Sequence, residues 1–395
     1  MPLQSYAMSP IAIRAYGSIS PLGHTASQVK AAYAQGQHAL AWTTYDSPGH
    51  WQGNLQATSQ DVLASIRAEN PLYQPLDPTV LMAMYAAREA VQQAQWPAHF
   101  NVGINVGASR GATQQWEKHH QALLEGQKMA VLASPLTTLG NISSWLAYDL
   151  EAKGPHFSHA ITCSTALHAL LNGIAWLQAG MADAFVVGGS EAPLTPFTLA
   201  QMQALKLYTK ASAHEAFPCR ALDPELQRNS FVLGEGAALF ALDRQCNTQA
   251  LAWLVGWGYA TEKVTHGASI SADAQCFQRS MRQALDVAQL TSVDAIVMHA
   301  PGTVLGDSAE MKAIVSVFSH NPPFCTSNKW KIGHTLGASG ALSLELALLL
   351  LENTSAGKIP YLHDQDMPEK IETVMVNAVG FGGNAVSLII QKPKG

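Results

Sequence analysis

A cysteine, two histidines and a lysine are the residues of this chain best suited to covalent chemistry. The cysteine is Cys163, in the stretch G-P-H-F-S-H-A-I-T-C-S-T-A-L-H-A-L-L that begins at Gly154. Residues 157–161 lead in as a short strand. Residues 164–179 are rich in Ala and Leu, apolar nearly all round and stopped by Gly180, which predicts a buried helix. A second apolar run at 184–187 ends in Gly188-Gly189 and predicts a buried strand. Cys163 therefore falls where a strand turns into the N-terminus of a buried helix. Unpaired backbone N–H groups and the positive end of the helix dipole favour a thiolate there, the nucleophilic form. Taken alone, a free cysteine in an apolar segment more often simply packs.

Groups that a thiolate needs lie further along. His299 stands in M-H-A-P-G-T and His334 in S-N-K-W-K-I-G-H-T-L-G, with Lys329 five residues before His334. The turn Gly380-Phe381-Gly382-Gly383 comes late in the chain. Imidazole N–H donors in a dry pocket stabilise a developing enolate, and glycines let the backbone approach a reacting group without a Cβ clash. Cys, His and His in this order, with G-F-G-G last, resemble the β-ketoacyl-(acyl-carrier-protein) synthases of type II systems, condensing enzymes of the thiolase superfamily. The resemblance extends over essentially the whole chain.

That resemblance implies an α/β fold, a thiolase-like duplicated five-layer α-β-α-β-α sandwich. Its N-terminal half, residues 1–250, would carry Cys163; its C-terminal half, 251–395, would carry His299, His334 and the glycine turn. It implies a cytoplasmic acyltransferase, a 3-oxoacyl-ACP synthase of fatty-acid or polyketide synthesis. An acyl chain passes from acyl carrier protein to Cys163, and His299 and His334 stabilise the enolate formed when malonyl carrier loses CO₂. The backbone N–H groups of Cys163 and Phe381 form the oxyanion hole, Gly380, Gly382 and Gly383 allow close approach, and the Phe381 ring gates the extender unit. Lys329 holds the local network and a glutamate opposite it, for which Glu345 and Glu310 are the candidates. Thr303 keeps the last hydroxyl of the family's H-G-T-G-T motif, which contacts the pantetheine arm. No metal or bound organic cofactor is implied, because the substrates ride on the carrier's phosphopantetheine. The expected partners are acyl carrier protein and a second subunit joined through the strand before the nucleophile, giving a homodimer or a heterodimer with a homologous ketosynthase or chain-length factor.

Composition sets outer bounds. The 395 residues allow two domains or one large duplicated unit. Hydrophobic residues at 48% and charged residues at 13% fit a large core and a substantial subunit interface. A net charge of −5 without a block of like charge argues against a general nucleic-acid surface. The 15 histidines are scattered and no H-E-x-x-H or C-x-x-C occurs, so no metal site is predicted. Cys163, Cys219, Cys246, Cys276 and Cys325 are irregularly spaced and odd in number, as reduced thiols are. The opening residues lack a signal-peptide pattern. No apolar run reaches the roughly 18 residues of a membrane span.

Strands are predicted at 11–16, 102–106, 251–259, 295–299, 373–378 and 385–390, and helices at 26–36, 77–94, 195–208, 280–288, 310–318 and 340–351. Strands alternating with buried helices predict parallel sheets covered by helices. Self-similarity between the halves is too weak to reveal a repeat. Gly234-Glu235-Gly236 reads as a tight strand entry.

The chain departs from the family pattern at several points. Pro301 replaces a threonine and removes a backbone N–H. Ser230 stands where Gly is usual. The G-F-G-G turn runs straight into Asn384, so its loop must tighten. Trp330 brings a large ring into a turn of smaller residues. Ser343 stands nine residues after His334, where the family has its glutamate, and leaves the partner of Lys329 open. Lys331 reads as an exposed lysine of the same stretch. These departures keep a second class in view, a chain-length-factor-like partner subunit with little or no catalysis of its own. Such partners usually lose the cysteine, so Cys163 argues for an active enzyme. A degradative thiolase is disfavoured because no cysteine follows Cys325.

Overall fold

Strands without polar alternation must be covered on both faces, and this requirement organises the chain. The structure, a computed structural model, describes residues 9–44, 49–244, 250–263, 270–319, 322–363 and 365–394. Cys246 and the first eight residues lie outside the described residues. The strands are β1 (Ile11–Ile19), β2 (Ala41–Thr43), β3 (His50–Gln52), β4 (Val102–Gly107), β5 (His156–Phe157), β6 (Ala184–Glu191), β7 (Gly236–Asp243), β8 (Ala252–Thr261), β9 (Ala295–Val297), β10 (Phe324–Thr326), β11 (Thr373–Gly380) and β12 (Asn384–Gln391).

Ten of them form one sheet in the order β10-β9-β11-β12-β8-β1-β7-β6-β4-β5, while β2 and β3 pair separately. The seam is the short antiparallel pairing of β1 with β8, where Ile11 faces Leu254 and Ile13 faces Ala252. On either side of the seam the five strands, numbered within their own half, run 3-2-4-5-1, with the same parallel and antiparallel pairs. The duplication that the residues do not reveal is therefore written in the topology.

Side chains alternate between two apolar layers. In β11, Val374, Val376 and Ala378 face the central core, while Met375 and Val379 face an outer one. In β6, Phe185 and Val187 face the centre and Val186 the other outer layer. The central layer is the helix pair Thr165–Gln178 and Ser339–Glu352, each packed on strands of both halves. The outer layers are Pro78–Ala94 with Asn141–Asp149, and Gln275–Ala288 with Val304–Phe318. This is the expected α-β-α-β-α sandwich. No helix among the described residues is long and apolar enough to cross a membrane.

Several boundaries differ from expectation, each for a local reason. The helix expected at 310–318 begins at Val304, because Asp307 in its first turn accepts the N–H groups of Gly302 (3.2 Å) and Thr303 (3.0 Å). The helix expected at 280–288 begins at Gln275, where Glu262 takes the N–H of Cys276 (2.9 Å). The strand expected at 157–161 is only His156–Phe157, since the chain already bends toward Cys163. The helix expected at 195–208 spans Pro196–Ala204, with Thr195 as its side-chain cap.

Leu342, fully buried in the central helix pair, tests this layer. Leu342→Ala is expected to cost about 2–5 kcal/mol, read as a lower denaturant midpoint at unchanged slope. An unchanged midpoint would show that the central layer is not packed in this way.

Candidate active site

The bend into the helix that follows Cys163 is made by Thr162, whose φ of 47° is unusual for a β-branched residue. The turn is cross-tied. The Thr165 hydroxyl donates to the Thr162 carbonyl (2.6 Å) and accepts from the Ile161 N–H (2.8 Å), and Ser164 donates to the Ile161 carbonyl (3.0 Å). Cys163 therefore sits just before the helix Thr165–Gln178, as expected, but it is only 8% exposed. It shares an apolar cluster with Met202, Tyr208, Phe231, Leu233 and Leu336. Burial, and then the Glu191 carboxylate, push its thiol up to about 12, while Lys329 and Arg110 pull the other way. The helix end supplies ~2 kcal/mol at most, so the expectation of a resting thiolate gives way to a resting thiol.

His299 lies in the loop beyond β9. Its N–H (3.0 Å) and that of Ala300 (2.9 Å) both donate to the Glu310 carboxylate, which also accepts from the Asn377 side chain (3.2 Å). Glu310 thus fixes the loop that carries His299. His334 is held by the 231–236 segment: its N–H donates to the Val232 carbonyl (2.7 Å), and its carbonyl accepts from Gly234 (3.1 Å). The Gly234-Glu235-Gly236 stretch is accordingly a tight strand entry, with Glu235 accepting the Leu55 N–H (3.0 Å).

The two imidazoles meet edge to face, with centroids 5.2 Å apart. The His334 Nδ1 accepts the Leu336 N–H (2.9 Å), which leaves its proton on Nε2. Burial and the Lys329 charge push His334 down to about 3, and burial, His334 and Lys329 drive His299 well below its usual value. Both rings are neutral at physiological pH.

Lys329 is buried with its Nζ on the Ser343 hydroxyl (2.9 Å) and the Asn328 side-chain oxygen (2.8 Å). Burial lowers it to about 8. Glu345 is not its partner. That carboxylate takes the Ser18 hydroxyl instead, and its second oxygen, Oε2, is buried without a hydrogen-bond partner. Lys331 is not exposed either: its Nζ is held by the carbonyls of Gln35 (2.7 Å) and Gln37 (2.6 Å) and lies over the Trp330 ring.

The glycine turn is a three-residue loop closing β11 onto β12, with Gly380 paired to Asn384. Gly382 at φ 91° and Gly383 at φ 72° make that tightness possible. A Cβ on Gly380 would fall 1.8 Å from Thr162 Oγ1, so the loop lies directly against the turn that carries Cys163. Phe381 stays 38% exposed beside it. Thr303 is nearly buried at the head of the Val304–Phe318 helix.

Sequence reasoning missed Glu191. It accepts the N–H groups of Ser109 (2.6 Å), Arg110 (3.0 Å) and Gly337 (2.9 Å), tying the loop after β4 to the turn that follows His334. The available signal was a carboxylate closing a wholly buried strand.

The duplicated sandwich, with its strand-to-helix cysteine, is the thiolase-like architecture of condensing enzymes. Residues 8–247 match the Beta-ketoacyl synthase, N-terminal domain, and residues 251–361 match the Beta-ketoacyl synthase, C-terminal domain. The chain belongs to the β-ketoacyl synthase family. It is 26% identical to the 3-oxoacyl-[acyl-carrier-protein] synthase 2 of Coxiella burnetii (strain RSA 493 / Nine Mile phase I), over 97% of this chain and 98% of that one. A solved β-ketoacyl synthase from Burkholderia phymatum STM815 superposes with a TM-score of 0.84 at 20% identity, covering 98% of this chain and 100% of that one. A ketosynthase in complex with its chain length factor from Xenorhabdus doucetiae does so with a TM-score of 0.80 at 23% identity, covering 99% and 100%.

Glu345 supplies a pH test. Burial raises it from 4.5 to about 7, so the folded protein binds its proton more tightly than the unfolded chain. Its stability contribution is complete below pH 4.5 and is lost as pH rises through about 7. The neutral Glu345→Gln variant escapes that loss. Its Tm advantage over the parent is expected to grow across this window and then level off; a pH-independent difference would show that Glu345 is buried charged.

Proposed function

We propose that this chain is a β-ketoacyl-ACP synthase that condenses an acyl-enzyme thioester with malonyl-ACP by decarboxylative Claisen chemistry. The observation that carries the reading is the pair of neutral imidazoles, 5.2 Å apart, in a buried site served by the Cys163 turn. In the first step Cys163 Sγ bonds to the acyl carbon, the carrier's C–S bond breaks, and the thiol proton ends on the carrier's sulfur. In the second, malonyl carrier loses CO₂ and its electron pair becomes an enolate. His334, with its proton on Nε2, and His299 donate to that oxygen, and a neutral His334 suits this role because its Nδ1 stays an acceptor for the Leu336 N–H while its Nε2 donates. The enolate carbon then attacks the acyl carbon, and Cys163 leaves as thiolate and is reprotonated.

The oxyanions of both steps are assigned to the backbone N–H groups of Cys163 and Phe381, which the contact between Gly380 and Thr162 brings into one neighbourhood. Gly380 and Gly382 give that loop its shape, and Phe381 is the gate. Glu310 is a positioning residue for His299, Lys329 sets the local field, and Thr303 faces the pantetheine arm. Glu345 drops out as the partner of Lys329. The chemistry calls for no metal or bound organic cofactor, because both substrates ride on the carrier.

The division into residues 1–250 and 251–395 follows the two five-stranded sets, so the site is built across the two halves. The partners are acyl carrier protein and a homologous subunit. Support for the latter comes from β5 at the sheet edge and from the exposed apolar side chains Trp116, Leu124 and Val131. We place the enzyme in the cytoplasm, where its carrier-bound substrates are.

Intact mass after incubation with acyl-loaded carrier protein tests the reading. The parent is expected to gain one acyl mass, and Cys163→Ala none. His299→Ala and His334→Ala are expected to keep the acyl mass but to lose roughly 10²–10³-fold in condensation. A parent that takes no acyl chain while folded would point to the partner-subunit role instead.

A further inference from the structure

Lys329 is a fully buried amine whose hydrogen-bond partners, Ser343 Oγ and Asn328 Oδ1, are both neutral. Among the described residues it forms no ion pair with a carboxylate. The one carboxylate that the Ser339–Glu352 helix buries nearby, Glu345, stands two residues beyond Ser343. Two residues are a little over half a turn of helix, so Glu345 projects from another face and reaches Ser18 on β1. The helix thus turns a hydroxyl, not a charge, toward the lysine.

We propose that Ser343 is the positioning residue for Lys329, holding the amine through a neutral hydroxyl so that the lysine works as a proton-gaining and proton-losing group instead of a fixed cation. The inference rests on the functional reading above and deepens it.

Each element around the amine contributes a group that bears on it. Glu310 and Asp307 come from the Val304–Phe318 helix and favour the protonated lysine; Cys219, from the segment beneath Gly302, and Cys163 do so only as thiolates. His299 and His334 face it as neutral rings, each held neutral in part by the lysine's charge. The carboxylates do not prevail, because Glu310 and Asp307 are themselves buried and spend their oxygens on the amides of His299, Ala300, Gly302, Thr303 and Leu222. Burial of the amine is the largest effect and lowers it to about 8. As pH rises through that value the positive charge beside Cys163 disappears, and with it a support for the thiolate.

The experiment follows alkylation of Cys163 by iodoacetamide against pH in the full-length protein, with the Cys163 peptide quantified by mass spectrometry. It needs no acyl substrate. The parent rate is expected to climb with pH and to slacken near about pH 8, where Lys329 loses its proton. Ser343→Glu places a carboxylate at the amine and is expected to move that break upward by ~1 pH unit or more. Ser343→Ala removes an acceptor from the ammonium and is expected to move it downward, and Lys329→Met to abolish it. A break at the same pH in the parent and both Ser343 variants, or one that survives in Lys329→Met, overturns the proposal. Should Ser343→Glu fail to fold, the remaining two variants decide. Breaks that shift as expected in a protein that accepts no acyl chain from a carrier would sink the condensation reading and leave the lysine assignment standing.

Discussion

Two helices held inside the sandwich impose the constraint on which the rest depends: every residue of Ser339–Glu352 but Glu352 is buried, and Thr165–Gln178 buries its inner face. Thr165–Gln178 and Ser339–Glu352 lie between the two halves of the sheet, and a polar group carried into that layer, or into the sheet and the loops packed around it, must find a partner inside the protein or stay neutral. Both outcomes occur. Glu191 and Glu310 are buried carboxylates wrapped in amide N–H groups, while Cys163, His299 and His334 are displaced toward their uncharged forms. The same apolar burial also sets the protonation states of the groups around Cys163. Fold stability and site chemistry are here one requirement.

The sequence made part of this plain. Apolar runs at 102–106, 373–378 and 385–390 are strands buried on both faces, and such runs carry their own signal. The nucleophile helix was legible for the same reason. The positions of Cys163, His299, His334 and Gly380 were legible through order and motif, because each sits at an element's end, where composition changes sharply. What local pattern does not carry is which groups meet across the chain. Glu345 and Ser343 differ by two positions on one helix, and only the direction of each side chain decides which of them faces Lys329. Lys331 looked like a surface lysine because its cage of carbonyls comes from residues nearly three hundred positions away. The hidden repeat has a similar cause: topology preserves strand order and pairing, whereas the residues need only stay apolar and of suitable size.

The turn that carries Cys163 shows how a local cost is carried by distant structure. A threonine at positive φ is held by hydroxyls one and two residues beyond Cys163 and by the glycine loop on the other half of the sheet. The loop, in turn, fits only because Gly380 has no side chain where Thr162 Oγ1 lies. Strain of this kind persists only where surrounding contacts fix it, and it makes the position of Cys163 answerable to the closure of β11 on β12.

The departures from the family pattern form a consistent set when their partners are followed. Pro301 removes a donor from the loop after His299, and the neighbouring groups are taken up by others. Asp307 accepts the amides of Gly302 and Thr303, and the Gly302 carbonyl accepts both the N–H (2.8 Å) and the hydroxyl (3.1 Å) of Ser230. Ser230, where the family has glycine, also accepts the Arg220 N–H (2.9 Å) and so pins a second loop to the first. Trp330 is absorbed by packing with Phe217 and Tyr361, and Tyr361 closes that cluster by donating to the Ala221 carbonyl (2.7 Å). The loop after His299 keeps its hydrogen bonds and the aromatic cluster keeps its packing. Each of these substitutions is thus matched by a partner elsewhere in the fold, so the departures change which groups hold the loops and not whether the loops are held.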